Sequence, residues 1–347
     1  MRGDPGSPET QQNHTSTCCL FDDELLSCLL PPLLSVIFVL GLVFNGIALW
    51  AFCYHIKTWT SSTVYLVNLA VADFLLLICL PFRTVYYAMK KEWMFEDIPC
   101  RLVLFMLAMN RAGSIFFLTL VALDRYFRVV YPHHRVNAMS VKRATFIACA
   151  VWVSTIALTL VILINGQPGG DGSHYSPKHC ESFTVCPAAF NIYHDLQFIL
   201  QFFLPLAVIV YCTSRIVWRL RQRNLDRHSK IKRAVQCIIL VAIVFFVCFL
   251  PSVFTRIEVL RLFASHRGER CSTYKTVDTA FYITITFTYM NSMCNPLVYY
   301  FSSPSFKMFY LKIMKCSTQS ESESEMDHTN DVPPSIPSNS QQPDQAN

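Results

Sequence analysis

Charged side chains are scarce in this chain, since Asp, Glu, Lys and Arg together make up only 15% of its 347 residues. A soluble domain carries about 25%, so the composition excludes an ordinary soluble protein. Internal repeats of the kind that mark many transporters are also missing. Enzymatic chemistry finds no support, because no cluster of His, Asp and Glu in the apolar segments has metal-ligand spacing and no nucleophile is paired with a base.

Apolar residues, 53% of the chain, come in blocks long enough to cross a bilayer as helices. We therefore predict an all-α membrane protein with a seven-transmembrane helix bundle and a short amphipathic helix after the last span. The spans are predicted at Pro31–Tyr54, Ser62–Met89, Asp97–Val130, Val141–Asn165, Asn191–Leu220, Ile231–Phe263 and Val277–Phe301. The chain then divides into an N-terminal segment (1–30), a membrane domain (31–301), an amphipathic juxtamembrane helix (302–316) and a disordered tail (317–347).

Loop charge predicts the orientation in the membrane, because cytoplasmic loops carry an excess of Lys and Arg. The connection after the fifth span holds many bases and one acid, Asp226, whereas one base and five acids precede the first span. We therefore expect a multi-pass plasma-membrane protein with an extracellular N-terminus and a cytoplasmic C-terminus. Basic inner loops are usual among membrane proteins, so the net charge of +6 does not indicate nucleic acid.

The two ends of the chain are rich in Ser, Pro, Gln, Asn and acids, which favours disorder. Asn13 begins a glycosylation sequon on the side predicted to be extracellular. Cys316 follows the predicted amphipathic helix and is a candidate for palmitoylation. Residues 317–324 are rich in Ser and Glu, which suits acid-directed kinases, although a solvated tail is the alternative interpretation.

Arg111 lies inside the third apolar span, where a charge is expensive. An unpaired guanidinium at mid-membrane costs about 2.5–3.5 kcal/mol even on a lenient insertion scale. Arginine also stays protonated, so Arg111 must face a protein interior or a wet cavity and find an anion. Two interpretations remain open, a ligand carboxylate and an internal ion pair with Asp73 on the neighbouring span.

Six cysteines lie on the predicted outer face, in addition to Cys28 just before the first span. An even number of cysteines in an oxidising compartment predicts disulfides among the six. Spacing alone leaves their pairing open. The six are Cys18, Cys19, Cys100, Cys180, Cys186 and Cys271.

Short motifs in consecutive spans resemble the landmarks of rhodopsin-like G protein-coupled receptors. They are Asn45, Asp73, Asp124-Arg125-Tyr126, Trp152, Pro205, Cys248-Phe249-Leu250-Pro251 and Asn295-Pro296-Leu297-Val298-Tyr299. The chain departs from the family at Phe249, where Trp is usual. The resemblance assigns activation and G protein coupling to Asp124, Arg125, Tyr126, Pro132, Phe249, Pro251, Asn295, Pro296 and Tyr299. It also makes a sodium ion, and no other metal or cofactor, conceivable among the oxygens of Asp73, Asn110, Ser114, Asn291 and Asn295.

Longer strings are similar to those of the hydroxycarboxylic acid receptors within that superfamily. Among them are residues 106–114 (MLAMNRAGS), 80–84 (LPFRT), 180–183 (CESF) and 299–306 (YYFSSPSF). The related oxoeicosanoid receptor shares the intramembrane arginine, but its strings match less well. The resemblance implies a receptor for a small carboxylate such as lactate, 3-hydroxybutyrate or niacin, which couples to an inhibitory G protein and lowers cyclic AMP. The alternatives are a receptor for a longer oxo- or hydroxy-fatty acid and, as a different class, an organic-anion transporter.

The same resemblance implies the site residues. Arg111 would clamp the ligand carboxylate, with Arg256 and Tyr289 as further polar contacts. The roof and the apolar walls would come from Ser182, Phe183, Leu107 and Phe281. The implied disulfides are Cys100–Cys180, Cys18–Cys186 and Cys19–Cys271, and the implied partners include membrane lipids, receptor kinases and arrestin.

Overall fold

Seven long helices make up most of the part of the chain that the structure describes. The computed structural model describes residues 24–165, 179–183, 192–223, 229–265 and 272–312. The helices are α1 (Glu24–Trp50), α2 (Ser61–Ala88), α3 (Asp97–Val130), α4 (Val141–Asn165), α5 (Ile192–Arg223), α6 (Ser229–Ser265) and α7 (Ser272–Ser302). A short helix, α8, follows at residues 304–312. The described part of the chain contains no strand, and the predicted all-α architecture is confirmed.

Six helices, α1 to α6, are long and apolar enough to cross a membrane. Helix α7 runs for 31 residues beside them but carries more polar groups, among them Lys275, Asp278 and Asn291. It packs closely on α6 and α1, so it belongs to the same bundle. The predicted seven-helix bundle therefore holds, with one helix that is more polar than the rest.

The predicted spans agree with the helices at α3 and α4, while α1 begins earlier than predicted, at Glu24 rather than Pro31. In the structure Leu26 and Leu30 are fully buried in the apolar core near Cys100, which also contains residues of α2 and α7. Tertiary packing thus extends α1 into the segment that the sequence predicts to precede the membrane.

Helix α3 lies at the centre of the bundle and packs against α2, α4, α5, α6 and α7. Its central position explains why so many of its side chains are buried, Arg111 and Asn110 among them. Two apolar cores surround it, one near the Cys100 end and one extending toward Tyr126. Polar groups therefore collect inside the bundle where α3 meets α2, α5 and α7.

A disulfide joins Cys100, in the first turn of α3, to Cys180, with their Cα atoms 5.7 Å apart. It holds residues 179–183 across the end of the bundle and confirms that pairing. Cys28 is free and exposed. The other predicted disulfides (Cys18–Cys186 and Cys19–Cys271), the sequon at Asn13, the palmitoylation candidate Cys316 and the tail lie outside the described residues.

Candidate ligand-binding site

A cavity of about 70 Å³ lies below the disulfide, between α2, α3, α4, α5 and α7. Residues 181–183 form its roof. Of the residues that the sequence predicts for the ligand, five line this cavity: Leu107, Arg111, Ser182, Phe183 and Tyr289. The structure therefore brings together side chains that are up to 182 positions apart in the sequence, counted from Leu107 to Tyr289.

Arg111 is buried on the cavity wall with only neutral partners among the described residues. Its Nη1 donates to Gln201 Oε1 at 3.4 Å and its Nη2 to the Phe198 carbonyl at 3.3 Å. Its Cζ lies 3.6 Å from the centroid of the Phe198 ring, and its buried Nε has no hydrogen-bond partner. A buried charge without a counter-ion is strongly disfavoured, so this guanidinium favours the arrival of an anion.

Asp73, the alternative partner of Arg111, is occupied elsewhere. Its Oδ2 accepts hydrogen bonds from Asn295 Nδ2 at 2.7 Å and from the Tyr299 hydroxyl at 3.3 Å. No ion pair between Arg111 and Asp73 is found in the part of the chain that the structure describes. The internal pairing considered from the sequence is therefore not formed.

Arg256 lies one layer behind the cavity wall, although the sequence places it on the cavity side. Its guanidinium holds Asp195 of α5 with two bonds, Nε to Oδ1 at 2.6 Å and Nη2 to Oδ2 at 3.1 Å. Its Cζ lies 4.8 Å from the Phe183 ring, which separates it from the cavity. Phe281 is likewise fully buried behind this layer and stacks edge-on against Phe183 at 5.1 Å.

Asp195 was missed by the sequence reasoning, although one signal was available. It is an acid in the first turn of α5, at the beginning of a helix long enough to cross the membrane, and so needs a partner just as Arg111 does. Whether Asp195 pairs with Arg256 or with Arg111 depends on how α5 is rotated relative to α3 and α6. The sequence alone does not give that rotation.

The roof of the cavity is fixed by Glu181, the residue after Cys180. Its carboxylate lies 2.9 Å from Lys91 Nζ and accepts hydrogen bonds from the hydroxyls of Tyr86 at 3.1 Å and Tyr282 at 2.5 Å. Burial alone would raise the pKa of Glu181, but Lys91, the Tyr282 hydroxyl and the charge of Arg83 outweigh burial and hold the pKa below its ordinary value. Glu181 is therefore an anion whose charge is fully balanced within the roof.

Two further bonds tie the roof to the helices. Tyr282 of α7 also donates to the Phe183 carbonyl at 2.7 Å. Arg83 of α2 donates to the Cys180 carbonyl at 2.7 Å and to the Tyr87 hydroxyl at 2.7 Å. These bonds hold Ser182 and Phe183 over Arg111. The sequence motif around Cys180 did not indicate Arg83 and Tyr282 as partners of the roof.

A second polar cluster lies between Asp73 and the middle of α7. The buried oxygens Asp73 Oδ1, Asn291 Oδ1 and Asn295 Oδ1 accept no hydrogen bond. Ser114 is fully buried, while Asn110 is committed through its Nδ2 to the Ala72 carbonyl at 2.9 Å. Oxygen atoms are the preferred ligands of hard cations, so these three unsatisfied oxygens have the chemistry of a hard-cation site. The described residues contain no group of three or more His, Cys, Asp and Glu that could hold a metal ion.

At the opposite end of α3, Asp124 gathers donors from two helices. Ser62 and Arg128 donate to its Oδ2 at 2.7 and 2.9 Å, and Ser61 donates to its Oδ1 at 3.3 Å. Arg125 contacts both Asp124, at 2.6 Å, and the Ser62 hydroxyl. The start of α2 therefore holds Arg125 in place, a role of Ser61 and Ser62 that the sequence motif did not reveal.

The remaining predicted activation residues fall into three settings. Tyr126 is buried beside Asp124, and Pro132 is exposed in the turn after α3. Phe249 packs on Phe245 with ring centroids 5.3 Å apart, two residues before the helix-breaking Pro251. Pro296 lies inside the continuous helix α7, between Asn295 and Tyr299, the two residues that bind Asp73.

Six helices around a central α3, with an arginine facing a cavity at one end and an arginine–serine contact at the other, define a membrane receptor of the seven-helix class. The family model for the 7 transmembrane receptor (rhodopsin family) matches residues 44–299. Human hydroxycarboxylic acid receptor 2 is 51% identical over 90% of this chain and 84% of its own length. Human hydroxycarboxylic acid receptor 1 is 51% identical over 88% and 85%. Human oxoeicosanoid receptor 1 is more distant, with 38% identity over 83% and 73%.

The chain belongs to the hydroxycarboxylic acid receptor family of rhodopsin-like receptors. The family consists of receptors and not of enzymes.

Proposed function

We propose that this protein is a cell-surface receptor for a small hydroxycarboxylic or monocarboxylic acid of the lactate, 3-hydroxybutyrate or niacin type. It couples to an inhibitory G protein and lowers cyclic AMP, as the family membership implies. The observation that carries the proposal is Arg111, a buried cation on the wall of a cavity whose hydrogen-bond partners among the described residues are neutral. Its relatives among the hydroxycarboxylic acid receptors support the matching ligand class, hydroxycarboxylic acids.

Cavity size supports a small acid over a long one. The space beside Arg111 is about 70 Å³, whereas sites for drug-sized ligands measure roughly 300 to 1,000 Å³. A fatty acid of eicosanoid length needs a larger space, so the longer oxo- or hydroxy-fatty acid remains the second candidate. The lower identity to the oxoeicosanoid receptor points the same way.

The wall chemistry fits a carboxylate with one additional polar group. The planar fork of Arg111 can hold both carboxylate oxygens, and its free Nε already lacks an acceptor. Hydrogen bonds to a charged group contribute about 1.5–3 kcal/mol each. The hydroxyls of Ser182 and Tyr289 supply donors and acceptors for the second group, while Leu107 and Phe183 cover the apolar part.

Ligand binding biases a two-state bundle. Neutralising Arg111 stabilises the arrangement of α3 and α5 that the ligand prefers, and α3 carries that bias to Asp124 and Arg125 at its other end. Release of Arg125 from Ser62 then opens an inner cleft beside α6 for the G protein. The G protein binds on the cytoplasmic side, so the end of the bundle with the cavity and the N-terminus is extracellular. The Ser- and Glu-rich tail lies inside the cell, where receptor kinases and arrestin bind it.

A sodium ion is the proposed allosteric partner of the mid-bundle cluster. The acceptors of Asp73, Asn291 and Asn295 without hydrogen bonds support this proposal, with Ser114 and Asn110 as additional oxygens. The carboxylate of Asp73 would supply the charge that balances the ion, and no step of ligand binding requires the ion.

The test is a cyclic AMP assay over a carboxylate panel that runs from lactate, 3-hydroxybutyrate and niacin to octanoate-length hydroxy acids and oxo-eicosanoids. We expect a short-acid response in wild type that Arg111→Gln abolishes at equal surface expression. Arg101→Gln is the matched control, because Arg101 lies on the same helix in a partly exposed pair with Asp97. A response that survives Arg111→Gln would overturn the clamp. Saturable uptake of labelled lactate into vesicles, lost in Arg111→Gln, would favour a transporter.

A further inference from the structure

A second concavity lies on the outside of the bundle, where α3, α4 and α5 meet. This α3–α4–α5 groove has a volume of about 460 Å³ and is lined almost entirely by apolar side chains. Leu196, Leu200 and Leu204 form one side, each between 44% and 66% exposed. Phe116 of α3 and Leu158 of α4 form the floor and the other side.

The groove exists because two neighbouring helices do not close on each other. Helix α4 packs on α2 and α3, and α5 packs on α3 and α6, while α4 and α5 make no close packing with each other. All three groove helices are apolar enough to cross a membrane. The medium outside the groove is therefore hydrocarbon, and an apolar concavity in hydrocarbon is filled by a hydrocarbon chain.

The dimensions of the groove suit one extended chain entering from the membrane edge near the roof of the cavity. Its lining on α5 runs from Tyr193 to Val208, which spans about 22 Å at 1.5 Å per residue. Tyr193 is more than half exposed at the beginning of α5. Tyrosines at this level sit among lipid head groups, so the head group would lie at Tyr193 and the chain would extend toward Pro205.

Two glutamines separate the groove from the ligand cavity, since Gln197 and Gln201 line both. Gln197 Nε2 donates to the Leu158 carbonyl at 2.7 Å and so bridges α5 to α4. Gln201 accepts the bond from Arg111, and its buried Nε2 has no hydrogen-bond partner. A change in the position of α5 on the groove side therefore moves Gln201 and, through its hydrogen bond, the Arg111 guanidinium.

We propose that a single acyl chain of an outer-leaflet lipid binds in the α3–α4–α5 groove and raises the affinity of the cavity for its carboxylate through Gln201. The chain fills the gap that α4 leaves and holds α5 against α3. Gln201 and the Phe198 carbonyl then keep the Arg111 guanidinium oriented toward the cavity. The binding of the chain is independent of the proposed function, whereas the coupling rests on it.

Photolabelling tests the groove itself. The full-length receptor is placed in phosphatidylcholine nanodiscs with palmitoyl lysophosphatidylcholine that carries a diazirine on its chain. We expect labels concentrated on the α5 peptide with Leu200 and Leu204, displaced by the unlabelled lipid and reduced by Leu200→Trp or Leu204→Trp. Leu42→Trp is the matched control, since Leu42 is similarly exposed on α1. Labels spread evenly over the exposed apolar residues, or displaced by cholesterol alone, would overturn the assignment.

Equilibrium binding tests the coupling. Tritiated niacin and labelled lactate are measured in parallel in the same nanodiscs, with and without the lipid. Coupling free energies of 1–3 kcal/mol correspond to about 5-fold or more, so we expect an affinity gain of about fivefold for the acid that binds. Gln201→Met should lose this gain and keep the photolabelling. Labelling without any affinity gain in wild type would refute the coupling. Absence of acid binding in every disc would instead count against the proposed function, and the labelling pattern would stand on its own.

Discussion

Arg256 of α6 holds Asp195 at the start of α5 through two hydrogen bonds of 2.6 and 3.1 Å, and both side chains are almost completely buried. Among the described residues, Arg83, Arg111 and Arg256 are all buried at the cavity end of the bundle, and Arg83 donates to the Cys180 carbonyl and the Tyr87 hydroxyl in the roof. Arg256 has a carboxylate partner inside the protein, whereas every hydrogen-bond partner of Arg111 among the described residues is neutral. This difference makes Arg111, rather than Arg256, available to a ligand.

Breaking the Arg256–Asp195 pair should destabilise the receptor rather than change its ligand preference. Asp195→Asn leaves the Arg256 charge buried and uncompensated, which costs about 3–5 kcal/mol. We expect a clear fall in the thermal unfolding temperature of the purified protein. Glu258→Gln is the control, because it removes the exposed partner of Arg261 and should change stability little. Equal stability of the two variants would show that the buried pair contributes nothing.

Acid should remove the contribution of Glu181 to stability. Burial alone would raise its pKa, but Lys91, the Tyr282 hydroxyl and the nearby charge of Arg83 outweigh burial and hold the pKa below the ordinary value of 4.5. A lowered folded-state pKa stabilises the protein above the ordinary value, and that stabilisation is lost as pH falls through the lowered pKa. Glu181→Gln should therefore unfold at a lower temperature than wild type at neutral pH, with a gap that narrows below about pH 4.5.

Thermal unfolding of wild type and Glu181→Gln across this pH range measures the gap. Glu92→Gln provides the comparison, since Glu92 is exposed in the turn after α2. A gap that stayed constant at every pH would mean that the Glu181 side chain acts by its shape and not by its charge.

Removal of the Ser62 hydroxyl should raise basal signalling. Ser62 donates to Asp124 at 2.7 Å and receives a hydrogen bond from Arg125, so Ser62→Ala frees one contact of Arg125 at the inner end of α3. We expect lower cyclic AMP in forskolin-treated cells without added acid. Ser61→Ala, which loses a longer bond to Asp124 of 3.3 Å, should change basal activity less. Identical effects of the two variants would locate the restraint elsewhere.

Sodium should weaken agonist action through Asp73. Replacing sodium chloride in the medium with choline chloride should increase the potency of the active acid in wild-type membranes, measured as G protein nucleotide exchange. Asp73→Asn removes the charge that balances the ion, so its potency should be the same in both salts. A variant that kept the full sodium response would refute the ion site and leave the carboxylate clamp at Arg111 untouched.

Much of the architecture follows from the sequence alone. A bilayer demands about 20 consecutive apolar residues for each helix, so the spans could be read from composition, and α3 and α4 have the predicted bounds. The intramembrane position of Arg111 could be read in the same way, because a charge in an apolar run is visible without coordinates. The Cys100–Cys180 pairing came from the resemblance to the receptor family and is present in the structure.

Partner choice inside the bundle was decided only by the tertiary structure. Arg256 and Phe281 lie behind the cavity wall, Asp195 takes Arg256, and Asp73 turns to Asn295 and Tyr299 instead of Arg111. Leu26 and Leu30 lengthen α1 because the packed bundle buries them. Each of these contacts depends on how far one helix is rotated and shifted against another. Apolar periodicity along a single helix shows which face turns inward, but it does not show which residue of the neighbouring helix that face will meet.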